Sequence, residues 1–308
     1  MQKILSSAPH LRAGESVQRM MLDVLIALLP ACAAAVYFFG LNAFILILLC
    51  VGTAVGCEAA IQFFCRKPVT VSDLSAAVTG VLLALNLPPG VPFYIPIAGS
   101  IFAIAIVKQC FGGLGNNFMN PALGARAFLL ISWPVAMTTW FAPGGVDAVA
   151  TATPLAVMAG GGNMPSLWDM FIGNHAGCIG ETSVLALLAG GIYLLARRVI
   201  AWRIPVSFIG VVALISLLTG DLASVPYYLM AGGLILGAFF MATDLVTSPV
   251  SPKAQVIFGL GCGGITMMIR LFGGYPEGVS FSIIFMNLLA PLLDKAFTPR
   301  VFGEVRSK

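Results

Sequence analysis

The sequence predicts an all-α polytopic membrane protein of about ten transmembrane helices arranged as two inverted five-helix halves. Three observations carry that expectation. Hydrophobic residues make up 59% of the chain, charged residues 9%, and mean hydropathy is +0.99. A soluble domain carries about a quarter charged residues, so this chain has too little polar surface to cover itself in water. Apolar runs recur along nearly the whole length, and the basic residues fall on alternate breaks between them, as the positive-inside rule requires.

Taken in order, the apolar runs lie at about 21–40, 43–64, 73–89, 93–110, 122–141, 180–196, 204–220, 226–243, 254–271 and 278–296. Each approaches the roughly 20 residues that a spanning helix needs. The third and fourth are separated only by Pro88, Pro89 and Gly90. With the N-terminus (Lys3, Arg12, Arg19) inside, Arg66, Lys67, Lys108, Arg126, Arg197, Arg198, Arg203, Lys253, Lys295, Arg300, Arg306 and Lys308 also fall inside. Of sixteen basic residues only Arg270 lands near the outer face, and the outer loops hold Asp147, Asp169, Asp221 and Glu277. The expected organisation is a cytoplasmic segment 1–20, a first half 21–143, an outer loop 144–179, a second half 180–296 and a cytoplasmic tail 297–308. The location is a cell (inner) membrane, multi-pass, with both termini cytoplasmic.

The first twenty residues are polar and mixed in charge, which argues against a signal peptide. The net charge of +4 follows membrane topology, so lipid and not nucleic acid is the expected surrounding. Seven cysteines are scattered without a CxxC pair, which supports neither a zinc site nor an iron–sulfur cluster. A weak internal echo pairs Phe111-Gly112-Gly113 before Met119-Asn120 with Phe272-Gly273-Gly274 before Met286-Asn287. A second pairs Thr79-Gly80 with Gly232-Gly233. Halves joined across an odd number of spans are inverted, as in many transport folds. Gly52 and Gly56, Gly233 and Gly237, and Gly259 and Gly263 have the four-residue spacing of close helix contacts.

Five stretches hold candidate functional residues. In GGLGNNFMNPALGAR, Asn117 and Asn120 either face a ligand with amide groups or cap the helix that starts near Pro121. In Asp147 to Pro154, small residues before a proline give an extended, exposed segment that presents the Thr153 hydroxyl; the alternative is an ordinary turn. Glu181 opens the sixth span, where a carboxylate suits the helix dipole or lines a pocket. Asp244, Glu58 and Asp23 are ionisable residues at or near membrane depth and candidates for an ion path, or else interfacial. Arg270 stands near Glu277 and forms a salt bridge with it or neutralises an anionic ligand.

Together, GGLGNNFMNPAL-x-AR, ATP in the outer loop, GETS, MATD with a following TSP, and IR-x-FGGYPEG followed by FMN resemble one family. It holds the D subunits of Rnf ion-translocating ferredoxin:NAD oxidoreductases and, more distantly, the B subunits of sodium-pumping NADH:quinone reductases. The short N-terminal segment favours the Rnf side. The resemblance implies a urea-transporter-like fold and FMN joined by a phosphoester bond to Thr153. Asp147, Ala152 and Thr153 match the attachment motif, whereas Ala150 and Thr151 replace its usual hydroxyl residue and glycine. It further implies a flavin transferase for maturation, the A, B, C, E and G subunits as partners, and a second, non-covalent flavin (riboflavin) at Asn117 and Asn120. Arg270 and Glu181 are the expected companions of the covalent flavin. The expected function is electron transfer between ferredoxin and NAD coupled to Na⁺ or H⁺ movement, as one component and not a complete enzyme. A urea-channel-like transporter without a redox role and a structural scaffold are the rival classes.

Overall fold

The computed structural model describes residues 16–143, 151–160, 164–220, 222–273 and 278–298, and among these it is helical with no strand. The first helix, α1 (Val17–Phe64), is 48 residues long. At 1.5 Å per residue it would reach about 72 Å, over twice the hydrocarbon thickness of a bilayer. Gly40, at φ +67° and ψ −150°, divides it into limbs 17–39 and 41–64. No L side chain adopts that conformation readily, whereas glycine does. On the second limb Leu46, Cys50, Ala54, Glu58 and Gln62 are buried, while Leu48, Gly52, Gly56 and Ala60 are exposed. Four-residue spacing puts each set on one helix face, so one face looks into the protein and the other away from it.

The interior is built on two short helices. Helix α2 (Ser75–Leu85) is buried along nearly its whole length. It starts at Leu74 in the left-handed region (φ +64°), after a 3₁₀ turn at Val71–Asp73. Gly80 lets it lie against the second limb of α1: a Cβ there would sit 2.7 Å from Val51 Cα. The chain then runs through α3 (Tyr94–Ile101) with its π-helical continuation Phe102–Gln109, α4 (Pro121–Ser132) and α5 (Pro134–Met137). Next come α6 (Pro154–Gly160), α7 (Leu167–Ile172), α8 (Val184–Ala196) and α9 (Arg203–Thr219).

In the second half α10 (Val225–Met230) breaks at Gly232 and Gly233 (φ +67° and +66°). The chain resumes as α11 (Leu234–Leu236), the second of the short interior helices, continuing in π-helical form over Gly237–Met241. The segments either side of the break are bent by 61°. The two buried helices end at each other, with Asn86 Nδ2 3.7 Å from Met241 Sδ. The chain closes with α12 (Pro252–Phe272) and α13 (Val279–Ala296).

Among the described residues α1, α12 and α13 are long and apolar enough to cross a membrane, and the bent pair Leu222–Met230 with Leu234–Met241 is a fourth such unit. Of the other apolar helices, α9 is as long as the run that predicts it, and α2, α4 and α8 are shorter than theirs. Pro134 ends the fifth run early at Ser132, because a proline supplies no N–H and pushes the residue before it out of helical geometry.

The glycine pairs divide three ways. Gly259 and Gly263 seat α12 against the backbone of α9, each Cβ position 2.8 Å from a carbonyl, of Ile204 and Phe208 respectively. Gly52 and Gly56 touch nothing within 4 Å, and Gly233 is a left-handed break, not a packing face. The dipeptide echo also fails in detail, since Asn120 caps a helix start while Asn287 lies inside α13. What does repeat is a left-handed residue, Leu74 or Gly233, before a buried half-helix.

Candidate functional site: an outer cluster, a polar core and an inner cavity

Thr153 lies just before α6 and is only 3% exposed. Its Oγ1 accepts a hydrogen bond from Ala156 N at 3.3 Å. The expectation of a freely presented hydroxyl is therefore corrected. Pro154 favours a helix start as much as an extended segment, and threonine is a good cap for the N–H groups that follow. Ala152 is exposed, and Asp147 lies outside the described residues.

Arg270, near the end of α12, donates to Tyr228 O (2.6 Å) and Ala231 O (2.9 Å). These carbonyls belong to the C-terminal end of α10, where a cation is favoured. The guanidinium and Leu155 meet over Gly232, where a Cβ would lie 2.8 Å from Arg270 Nη2 and 2.6 Å from Leu155 Cδ1. Arg270 is thus brought to the chain segment that carries Thr153. The glutamate expected beside it, Glu277, lies outside the described residues. Glu181 differs from its expected role at the start of the sixth span. Ser183 caps α8, accepting from Ala186 N at 3.4 Å. The Glu181 carboxylate instead lies against Gly233, 3.1 Å from a Cβ there, and so faces the first turn of the α11 half-helix. In the same loop the buried His175 ring has Nδ1 3.1 Å from Ala176 O, and burial pushes its pKa below 6.5.

At the opposite end of α2 is a polar cluster in which the sequence points to only one member, Glu58. Lys108, on the last π-helical turn after α3, is 1% exposed and donates to Glu58 Oε1 (2.8 Å) and Oε2 (2.9 Å). It also donates to Ser75 Oγ (2.6 Å), which donates to Asp73 Oδ1 (2.5 Å). Gln109 Nε2 and Gln62 Nε2 complete the Glu58 carboxylate at 2.8 and 3.3 Å. Lys108 and Arg126 are hence not loop cations facing the cytoplasm. Both are buried in helices, and an ionisable residue inside an apolar run is the signal that marks them.

Next to this cluster is a cavity of about 40 Å³ lined by Ser75, Thr79, Lys108, Asn117, Asn120 and Asp244, among others. Asn120 is the N-cap of α4, accepting from Ala122 N (3.0 Å) and Leu123 N (3.4 Å), so capping is its structural role. Its Nδ2 also reaches Met241 O at 3.4 Å. Asn117 caps nothing: its Nδ2 donates to Met119 O at 3.4 Å and its buried Oδ1 has no partner among the described residues. A second, more apolar cavity of about 40 Å³ shares Met21, Val78, Leu82 and Asp244 with the first.

The three acids of the expected ion path are in different states. Glu58 is ion-paired to Lys108. Asp23 accepts from Tyr193 Oη (2.9 Å) and pairs with Arg197 at 3.3 Å. Asp244 accepts from Thr247 Oγ1 at 2.9 Å and has no cationic partner within 4.0 Å among the described residues.

These features define a polytopic, all-helical membrane protein whose interior is organised by two broken helices and lined by paired charges and amides. The chain belongs to the NQR2, RnfD, RnfE family, whose pattern matches residues 4–303. Over 308 residues it is 53% identical to the D subunit of the Na(+)-translocating ferredoxin:NAD(+) oxidoreductase complex of Acetobacterium woodii, covering 99% of this chain and 96% of that one. It is 46% identical to the D subunit of the proton-translocating ferredoxin:NAD(+) oxidoreductase complex of Clostridium ljungdahlii, covering 98% and 96%. It is 39% identical to the D subunit of the ion-translocating oxidoreductase complex of Stutzerimonas stutzeri, covering 94% and 93%.

Proposed function

We propose that this chain is the flavin-carrying D subunit of an Rnf-type complex that couples electron transfer between ferredoxin and NAD to Na⁺ or H⁺ translocation. The observation that carries the reading is the end-to-end match to proteins so named, at 53% and 46% identity. The B component of a quinone reductase and the urea-channel-like transporter are less well supported, because these relatives carry neither name. Ten spans in two inverted, urea-transporter-like halves, with both termini cytoplasmic in a cell membrane, remain the preferred topology. Repetition of a left-handed residue before a buried half-helix in each half supports it. The same topology keeps the division into segment 1–20, half 21–143, outer loop 144–179, half 180–296 and tail 297–308.

FMN is proposed at Thr153, held by Arg270 and Glu181 over the Gly232-Gly233 break, with Asp147 and Ala152 as recognition residues for a flavin transferase. The chemistry of the site fits. Thr153 Oγ1 acts as an acceptor in its capping bond, and an ester oxygen keeps that capacity. Because Thr153 is buried, the transferase must reach it before α6 settles against the rest of the protein. A bound flavin supplies one-electron redox chemistry, while the protein supplies position and electrostatics. Arg270 brings positive charge to the phosphoryl end, and a flat group over the glycine pair would have to displace Leu155, which now lies against Gly232. A second flavin is proposed at the inner cavity, where the orphaned Asn117 Oδ1 offers an acceptor. The present cavity is water-sized, so a ring would have to displace neighbours such as Met21 and Leu114. Asp244, lacking a described cationic partner, is the preferred ion-path acid; Glu58 and Asp23 would first have to give up Lys108 and Arg197. Partners are the A, B, C, E and G subunits of the complex.

The test is a denaturing gel of complex purified from the native host, imaged for flavin fluorescence. A fluorescent band at this chain's mass that disappears in Thr153→Ala supports attachment there. An unchanged band moves the flavin elsewhere, and a dark wild-type band removes the covalent flavin from the reading.

A further inference from the structure

We propose that Arg198 and Arg203, with Trp202 between them, hold the headgroup phosphate of an anionic phospholipid where α8 passes into α9. The inference rests on the topology above, which puts this connection at the cytoplasmic membrane surface. Arg198 is exposed and has no ion-pair partner within 4.0 Å among the described residues. Arg203 opens α9 and is held from two sides. Its guanidinium carbon lies 5.8 Å from the centre of the Trp202 ring, and its Nη1 donates to Gln255 Oε1 on α12 at 3.3 Å. Trp202 is itself exposed, and an amphipathic ring suits the level of the lipid headgroups.

The backbone shows that Arg198 stands where another residue would be easier to place. It closes α8 in the left-handed region, at φ +58°. Val199 N bonds back to Leu194 O and Arg198 N to Leu195 O, both at 3.0 Å. Glycine ordinarily fills the left-handed place in this closing pattern, because a Cβ strains it. Helix α1 ends the same way on Arg66, at φ +53°, with Lys67 N bonded to Gln62 O and Arg66 N to Phe63 O. A cation at a helix C-terminus offsets part of the strain through the dipole. Strain that persists at an exposed side chain points to a use for that side chain.

The charge of the connection selects the lipid. No Asp or Glu occurs between Glu181 and Asp221, whereas Arg197, Arg198 and Arg203 do. Asp23 reaches the connection from α1 but is taken by Arg197 at 3.3 Å and Tyr193 at 2.9 Å. Asp244 borders a cavity with Val199 and Ile200, and accepts from Thr247 instead. Arg198 and Arg203 therefore leave two positive charges on one short connection. A guanidinium matches phosphate oxygens with paired N–H donors. A phosphatidylcholine headgroup also carries a phosphate, but its own ammonium cancels the charge, so an anionic headgroup is favoured. On the flanking helices Ile192, Val206 and Leu214 are exposed, which offers acyl chains an apolar surface on the same two helices.

The experiment uses the whole complex in neutral detergent with phosphatidylglycerol or phosphatidylcholine carrying a photoactivatable tail. Crosslinks to residues 192–214 of this chain are measured by mass spectrometry. Wild type should be labelled by phosphatidylglycerol well above phosphatidylcholine. Arg198→Gln and Arg203→Gln should each raise the lipid concentration for half-labelling about fivefold, and together about 25-fold. Arg198→Gly relieves the left-handed strain, so it should keep the Tm of delipidated complex at or above wild type while losing the same fivefold. An arginine with only a structural role would leave the lipid preference unmoved in that variant. The proposal is overturned if the two lipids label wild type equally, or if the variants keep the preference. It is also overturned if excess inorganic phosphate abolishes labelling, or if neither lipid labels this segment and another subunit crosslinks there. Should Arg203→Gln fail to assemble, Arg198→Gly decides. Sidedness is read separately, from Ala201→Cys in right-side-out vesicles with an impermeant maleimide. Labelling of the added thiol from outside would refute the topology, and the lipid comparison would stand on its own result.

Discussion

The Glu58–Lys108 pair gives the most direct measure of how the inner polar cluster is held. Lys108→Met removes the ammonium and nearly preserves the stem. The carboxylate then keeps only Gln109 Nε2 at 2.8 Å and Gln62 Nε2 at 3.3 Å, with both Lys108 contacts at 2.8 and 2.9 Å gone. Glu58→Gln leaves the reverse fault, a buried ammonium facing amides and Ser75 Oγ. Breaking a buried pair at one partner costs about 3–5 kcal/mol, because the other charge is left uncompensated. Removing both charges together is often close to neutral. Each single variant should therefore lower the apparent Tm of this chain within the complex by on the order of 10 °C. The double variant should recover most of that loss. The assay is heat challenge of purified complex, followed by size exclusion and a gel for this chain. Additive single effects, with the double variant as unstable as their sum, would refute the reasoning, for they would mean the two side chains stabilise the fold independently.

The two amides bordering the inner cavity should separate by role. Asn120→Ala removes an N-cap and should cost about 1 kcal/mol of stability, which a thermal melt of the complex would register. Asn117→Ala, whose Oδ1 bonds nothing described, should leave thermal stability nearly unchanged and reduce any non-covalent flavin recovered after acid extraction. His175 provides a pH test. Burial holds its pKa below 6.5 in the folded protein, so the unfolded chain takes up the proton first as pH falls. The stabilisation is complete above the unfolded value and is lost as pH drops through 6.5 toward the folded value. The wild-type Tm should decline over that range and His175→Gln should flatten the decline; parallel profiles would show that other groups control it.

Much of this protein is legible in its amino acids, and the reason is the solvent. A chain with 59% hydrophobic and 9% charged residues reads as membrane-embedded, and since lipid satisfies no backbone polar group from outside, its continuous apolar runs, unlike the alternating strands of a barrel, read as helices. The apolar runs each received a helix, the Asn120-Pro121 pair starts α4 as capping chemistry requires, and Thr153 sits before a proline-led helix. These are short-range consequences of residue type. Helix lengths were less legible, because Gly232-Gly233 and Leu74 break the chain at depth for reasons of packing. Leu74 carries no sequence mark of a left-handed residue.

What only the tertiary structure decided is which charges meet. Lys108 and Arg126 read as cytoplasmic cations when counted along the chain, yet one neutralises Glu58 fifty residues away and the other joins both halves. Glu181 reads as the start of one helix and faces the start of another. A charge inside lipid-excluded protein is set by its partner, and partners brought together by folding lie far apart in sequence. The amino acids determined by themselves that this protein is helical, lies in a membrane and breaks its helices with glycine and proline. Folding determined where its buried charges stand: Arg126 reaches Asn86 at one end of α2, and Lys108 meets Glu58 and Ser75 at the other, because there polar side chains from distant parts of the chain offset the loss of water.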